Sequence, residues 1–401
     1  MNVKLAEAGF LSYHENYMEY KVRFANPAKQ YADHREEFIK AFDDTLSRGA
    51  IVNKEELWKF EEDFAKFVGV QYAIGVNSGT SALDVALQAA GVGQGDEVIT
   101  VAHTFIASIS SIYLAGATPV LVDVGEDFNM DVRLLEKAIT PKTKAIMPVH
   151  LNGRLCDMEV IMDIAKRKGL MIIEDAAQSL GASMKMADGN AKSAGSFGVA
   201  GCFSLYWAKA LGGFGGSGMI TTNDPAIAEK AKLMRYNGEN REDRHFYYHA
   251  HNFLMDNLQA ALLQVKFRYF PQWLQRRKEI AELYHQGLEG MAQVQVPRFG
   301  DPRFSDIYTN YVIRAERRDE LAKFLQEQGV ETMISWGIPT YKEPVFQQGE
   351  IPRLVSAGGD ARELPETEKI CREVLSLPMY PELTGEQVQY AIEQVRGFYA
   401  Q

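Results

Sequence analysis

The sequence predicts an α/β protein: a large domain with a mostly parallel sheet flanked by helices, followed by a smaller C-terminal α+β domain. Three observations carry this expectation. Short apolar runs rich in Val and Ile alternate with helical stretches from residue 71 to residue 222. These runs are apolar at nearly every position, as strands covered by helices on both faces must be. After about residue 252 the alternation gives way to one long helical region rich in Ala and Leu, then to short strands mixed with helices.

Taken in order, the N-terminal segment is expected to be helical. Phe38, Phe42 and Leu46 recur at helical spacing, as do Leu57, Phe60, Phe64 and Phe67. Strands are expected at 71–76, 97–100, 118–123, 144–149 and 170–174, separated by helices over 80–90, 106–114, 132–138 and 158–168. Right-handed crossovers should join them. Two more strands, 199–204 and 218–222, bracket Lys209. The stretch 186–193, with Asp188-Gly189-Asn190 inside it, reads as an exposed loop or hairpin tip. A long helix is expected from 252 to about 288, then a strand at 311–313 and helices at 320–329 and 385–399. This gives a large domain over 25–265, a small domain over 266–401, and an N-terminal extension over 1–24.

The composition is that of an ordinary globular enzyme, with 401 residues, 46% apolar and 24% charged. Against 43 basic side chains stand 53 acidic ones, a formal charge of −10. With no long basic run, this argues against nucleic acid or an anionic membrane as partner. No stretch approaches the roughly 20 apolar residues of a membrane span. The N-terminus lacks the charged-then-apolar layout of a signal peptide. Cys156, Cys202 and Cys371 are few, odd in number and far apart, which points to reduced thiols and a cytoplasmic location. They have no metal-ligand spacing.

The residue that carries most chemistry is Lys209. It follows the strand-like run Cys202-Phe203-Ser204-Leu205 and opens a glycine-rich stretch, while Ile172-Ile173-Glu174-Asp175 ends another strand upstream. An amine and a carboxylate at neighbouring strand ends are what a pyridoxal 5'-phosphate enzyme needs: the lysine carries the cofactor as a Schiff base and the aspartate keeps the pyridine nitrogen protonated. Most lysines are solvated surface charges, so neither residue is sufficient alone. Ser78-Gly79-Thr80 joins a strand to a helix and offers backbone amides and hydroxyls to an anion. In isolation it is an ordinary helix cap. Ser204, five residues before Lys209, can add a hydroxyl to the same phosphate. Phe105, in Ala102-His103-Thr104-Phe105, lies in a loop after a strand and can stack on a planar ring, or simply be core.

Together these stretches identify a family. The chain resembles the sugar aminotransferases of the DegT/DnrJ/StrS group, which have the aspartate-aminotransferase type I fold. The resemblance runs from about Phe24 to Tyr399. It is carried by Ala73-Ile74-Gly75-Val76-Asn77-Ser78-Gly79-Thr80-Ser81-Ala82-Leu83, by Glu174-Asp175-Ala176-Ala177-Gln178-Ser179, by Leu258-Gln259-Ala260-Ala261 and by Leu375-Ser376-Leu377-Pro378-Met379-Tyr380-Pro381. The resemblance implies that Lys209 is the Schiff-base lysine, Asp175 the partner of the pyridine nitrogen, and Gln178 the neighbour of the ring hydroxyl. It implies that Phe105 stacks on the ring and that Ser78, Gly79, Thr80 and Ser204 hold the phosphate. It also implies a homodimer with shared active sites, the segment around Asn252 reaching into the partner's site.

The function so implied is transfer of an amino group from L-glutamate, or glutamine, to a keto sugar, most often nucleotide-linked, in amino-sugar biosynthesis for a surface polysaccharide or an antibiotic. Some positions depart from the family pattern: Leu254 replaces the usual Arg or Asn, Ala210 an asparagine, Gly216 an acidic residue, Tyr341 a histidine and Asn152 a tyrosine. These changes favour weighing an acceptor without a nucleotide, such as a keto sugar phosphate or an aminocyclitol ketone. A sugar dehydratase is disfavoured because that branch has histidine in place of Lys209. A non-catalytic regulatory paralogue is disfavoured by the intact Lys209, Asp175 and Gln178.

Overall fold

The computed structural model of the chain describes residues 20–347 and 352–401. Most of the expected N-terminal extension lies outside the described residues. Its last part does not stand apart: Val22 is buried and pairs with Val330, through Val22 N–H to the Gly329 carbonyl at 3.1 Å and Glu331 N–H to the Val22 carbonyl at 2.9 Å.

The strands expected between 71 and 222 all form. They are β1 (Tyr72–Val76), β2 (Glu97–Val101), β3 (Thr118–Val122), β4 (Thr143–Ile146), β5 (Met171–Asp175), β8 (Ala200–Ser204) and β9 (Gly218–Thr222), with β6 (Ser183–Lys185) and β7 (Ala191–Ser193) between β5 and β8. Strands β6 and β7 make the hairpin expected around Asp188-Gly189. The later strands are β10 (Val294–Gln295), β11 (Phe304–Ser305), β12 (Tyr311–Ala315), β13 (Arg353–Ser356), β14 (Gly359–Ala361) and β15 (Val374–Leu377).

The main sheet has nine strands in the order β1-β9-β8-β5-β4-β2-β3-β13-β14. From β8 to β13 every neighbouring pair is parallel, while β9 runs antiparallel to both β1 and β8. Such a sheet collects the loops after its parallel strands along one edge, where α/β proteins bind ligands. Burial drives the arrangement. Phe60 and Phe64 of helix Glu55–Val68 have no exposed surface, and they pack edge-on to Phe267 and Phe203 respectively. Each such ring contributes roughly 1.5–3 kcal/mol on burial. A separate three-stranded sheet, β10-β12-β15, carries the second core on Tyr284, Tyr311, Leu321 and Val388.

Two features differ from expectation. The long helix is Asn257–Leu288, not 252–288. Residues 252–255 are extended, because Tyr236 pairs with Asn252 and Val76 with Leu254, and Asn77 N–H bonds the Phe253 carbonyl at 2.7 Å. Pairing with the end of β1 outweighs the helical tendency of the run. The helix then passes unbroken through the expected 265/266 boundary. Later, β13 returns to the large sheet and pairs in parallel with β3. No strand was expected there from a four-residue run.

Candidate active site

Asp175 ends β5, is only 5% exposed, and has both carboxylate oxygens engaged. Ser108 Oγ donates to Oδ2 at 2.7 Å and the Ala177 N–H to Oδ1 at 3.2 Å. Burial raises its pKa above the ordinary value, while these two donors and the charge of Lys209 oppose the rise. A buried carboxylate at a strand end, with oxygens fixed in direction, suits a cationic N–H from a ligand.

Lys209 sits in the loop between β8 and β9, where its N–H closes a turn on the Tyr206 carbonyl at 2.8 Å. It is half-buried, and its amine makes no hydrogen bond or ion pair among the described residues. Burial lowers its pKa and Asp175 works in the other direction. The same loop is pinned at its base by Leu205 N–H to the Ser217 carbonyl and Gly213 N–H to the Leu205 carbonyl, both 2.8 Å. A lysine amine with no partner among the described residues, depressed in basicity and close enough to a carboxylate to feel its charge, is prepared for carbonyl chemistry.

The anion cradle forms where helix Gly79–Ala89 begins. Ser78 caps it, its Oγ accepting from Ser81 N–H at 3.0 Å. Gly79 lies so close to β8 that a Cβ there would sit 2.7 Å from the Ser204 Cβ. Gly79 and Ser204 are therefore in contact, with Thr80 exposed beside them. Asn252 is exposed, and its carbonyl is within 3.5 Å of Asn77 Nδ2. The structure thus brings Ser78, Gly79, Thr80 and Ser204 to one region, while Asn252 meets this chain through its backbone carbonyl and leaves its side chain exposed.

Gln178 is buried, and its amide is oriented by a single bond: Oε1 accepts the Asn152 N–H at 2.7 Å, which leaves Nε2 to donate elsewhere. Asn152 has φ of 57°, a left-handed conformation that Asn tolerates better than most residues. The Gln178 carbonyl is held by Thr309 Oγ1 at 2.6 Å. Phe105 is 58% exposed, a ring left free to cover a flat ligand. Its neighbour His103 is a core residue: it is 1% exposed, stacks on Phe128 and is pushed down to about 3 by burial.

Sequence reasoning missed Ser108 and the support beneath Asp175. Glu174 is fully buried and accepts from His150 Nε2 at 3.0 Å and from the N–H groups of Gly195, Phe197 and Gly198 at 2.7–2.9 Å. His150 Nδ1 accepts the Cys156 N–H, so the ring's proton lies on Nε2. These are contacts between distant segments with no local sequence signal. Tyr341, where the family pattern has a histidine, is buried, its hydroxyl bonding Glu368 at 2.7 Å. Leu254 is partly buried against the main core.

The residues present fit a phosphorylated pyridine. The buried carboxylate of Asp175, the amine of Lys209 and the amide nitrogen of Gln178, both without a hydrogen bond among the described residues, and a helix start that a Cβ would fill all border the same sheet edge.

Comparison with known proteins agrees with this geometry. A sequence profile of the DegT/DnrJ/EryC1/StrS aminotransferase family matches residues 32–396. The chain is 42% identical over 377 residues to the pleiotropic regulatory protein of Geobacillus stearothermophilus, a match covering 93% of this chain and 97% of that protein. It is 38% identical over 377 residues to dTDP-3-amino-3,4,6-trideoxy-alpha-D-glucose transaminase of Streptomyces venezuelae, covering 94% and 96%. Among solved structures it matches S. venezuelae DesV, determined in complex with a ketimine intermediate, with a TM-score of 0.88 at 36% identity over 95% of this chain and 99% of that one. It also matches NtdA of Bacillus subtilis, solved with bound cofactor PMP, with a TM-score of 0.82 at 29% identity over 92% and 82%. Similar in sequence and in backbone across nearly its whole length, this protein belongs to the DegT/DnrJ/EryC1/StrS aminotransferase family and has the type I fold of its sugar aminotransferases.

Proposed function

We propose that this protein is a pyridoxal 5'-phosphate-dependent aminotransferase that moves an amino group from L-glutamate or L-glutamine to a nucleotide-linked keto sugar. The observation that carries the reading is a Lys209 amine with no hydrogen bond or ion pair among the described residues, near enough to the buried Asp175 carboxylate at one sheet edge for the two charges to interact. The sugar-nucleotide acceptor rests on relatives such as the dTDP-sugar transaminase.

When bound, the cofactor supplies an electron sink that makes a proton on the attached substrate carbon acidic. The chain's residues do the rest. Asp175 holds a proton on the ring nitrogen, its own oxygens kept in line by Ser108 and Ala177. Gln178 donates Nε2 to the ring hydroxyl, since Asn152 occupies its oxygen. Ser78, Gly79, Thr80 and Ser204 hold the phosphate through hydroxyls and helix-start N–H groups, and Asn252 of a second subunit adds to them. Phe105 covers the ring. Lys209 would take the α-proton of the bound substrate and deliver it to the carbon on the other side of the linking nitrogen, two bonds along, a task helped by its lowered basicity.

A homodimer is part of the same proposal. Helix Arg35–Ser47 leaves Ile39, Phe42 and Leu46 substantially exposed, and Trp58 of the next helix is 52% exposed. An apolar surface of this kind calls for a second copy.

The test is borohydride reduction of purified protein followed by peptide mapping, then incubation with glutamate or glutamine and a panel of keto sugars, with mass spectrometry of the products. The label should fall on Lys209 and the amino sugar should come from the nucleotide-linked member. Lys209→Ala should lower turnover at least about 100-fold. A keto sugar phosphate or aminocyclitol ketone as the only acceptor would replace the nucleotide clause. No label and no amino product would leave a regulatory role, in keeping with the name of the Geobacillus relative.

A further inference from the structure

Lys266 projects from helix Asn257–Leu288 into the protein and is only 4% exposed. A buried ammonium ordinarily pairs with a carboxylate, because leaving it unpaired is costly. Among the described residues Lys266 has no carboxylate within ion-pair distance. Its Nζ donates instead to the carbonyl of Gly212 at 2.6 Å and lies 4.3 Å above the ring of Phe214. Burial pulls its basicity down to about 8, with Glu382 opposing.

Both contacts fall in the loop that carries Lys209. Gly212 is three residues beyond Lys209, in the run Gly212-Gly213-Phe214-Gly215-Gly216. Four glycines in five residues give a chain with little stiffness of its own. The same helix supplies a second hold: Gln259 Oε1 accepts the Phe214 N–H at 3.1 Å, and a Cβ on Gly215 would lie 2.9 Å from Gln259 Nε2. Gln259 and Lys266 are seven residues apart and so share a helix face. On the far side, Phe214 packs edge-on against Phe38 at 4.9 Å. The turn is thus gripped from within by two side chains of one helix, one of them a cation.

We propose that Lys266 is a positioning residue for the reaction: by holding the Gly212 carbonyl and the Phe214 ring it fixes the turn from which Lys209 reaches the cofactor. This rests on the reading of Lys209 given above. A cation serves here because an ammonium can serve a carbonyl and an aromatic face at once, which a neutral side chain of this length cannot.

The test uses the cofactor-loaded protein and three variants, Lys266→Met, Lys266→Gln and Lys266→Arg. Lys266→Met keeps length and removes charge and donor. Replacing a buried cation that lacks a carboxylate by an apolar chain should leave the thermal midpoint equal to wild type or higher. The rate at which glutamate or glutamine, whichever the wild type consumes, bleaches the visible band should nevertheless fall about tenfold, as expected for losing a charge-assisted bond. The amino-donor KM should change less than about twofold, and the pH midpoint of the band should move. Lys266→Arg, which retains cation and donor, should recover most of the rate. If Lys266→Met does not fold, Lys266→Gln, neutral and shorter, should show the same rate loss. A Met or Gln variant with wild-type rate and wild-type band overturns the proposal, as does a rate loss that simply tracks a lowered thermal midpoint. Failure of the underlying reading has a different signature: in that case the wild-type protein itself yields no borohydride label at Lys209.

Discussion

Ser108 Oγ lies 2.7 Å from Asp175 Oδ2, and Thr104 Oγ1 lies 2.8 Å from the same hydroxyl. The bond ties the helix that follows β2 to the end of β5, so two loops on the ligand edge of the sheet share one buried contact. It also favours the charged form of a carboxylate that burial pushes the other way.

Removing that donor should therefore raise the Asp175 pKa further. Ser108→Ala is expected to move the acid limb of the kcat profile upward by about 1 pH unit, the equivalent of one bond to a charged group. At a fixed pH on that acid limb kcat should fall about tenfold. A pH-rate series on wild type and variant checks this, and an unmoved acid limb would show that Ser108 does not hold the carboxylate.

Gly79→Ala probes the opposite end of the site. The added Cβ would meet the Ser204 Cβ at 2.7 Å and its Cα at 3.1 Å, so the helix start must shift away from β8. The fold should survive, since Ala favours a helix more than Gly does. Cofactor affinity should weaken about tenfold, because the N–H groups no longer converge with the Ser204 hydroxyl. Absorbance titration of the apoprotein with pyridoxal 5'-phosphate measures this. Unchanged affinity would remove Gly79 from the cradle.

These residues were readable in advance because each belongs to a local pattern: Lys209 and Asp175 end apolar strand runs, and Gly79 opens a helix. The supports were not readable. Ser108 and Asp175 are 67 residues apart, and Gly212 and Lys266 are 54 apart. Only the crossing of chain segments joins them. The helix expected from Asn252 failed for a related reason. Leu254 and Met255 are apolar enough to extend a helix, yet Val76 offers Leu254 a strand-like partner. At Tyr341, where the family pattern has a histidine, the direction of the hydroxyl, toward Glu368, is set by packing on Leu364 and Phe346. Likewise the short strand β13 is recognisable only through its pairing with β3.

The Asp175 carboxyl gives the apoprotein a stability signature with a defined sign. Its folded pKa is raised above the ordinary value by burial. Between the ordinary value near 3.9 and the higher folded value, the folded chain binds a proton that the unfolded chain has released. The contribution from this group is therefore full below about pH 3.9 and is lost as pH rises through the folded pKa. Asp175→Asn removes the titration while keeping the shape. Urea unfolding of both apoproteins over a falling pH series should give a difference, wild type minus variant, that grows more positive as the pH falls through the folded pKa. A difference that stays constant over the acid range, or that runs the other way, would mean that burial does not dominate at Asp175 and that Ser108, Ala177 and Lys209 together outweigh it.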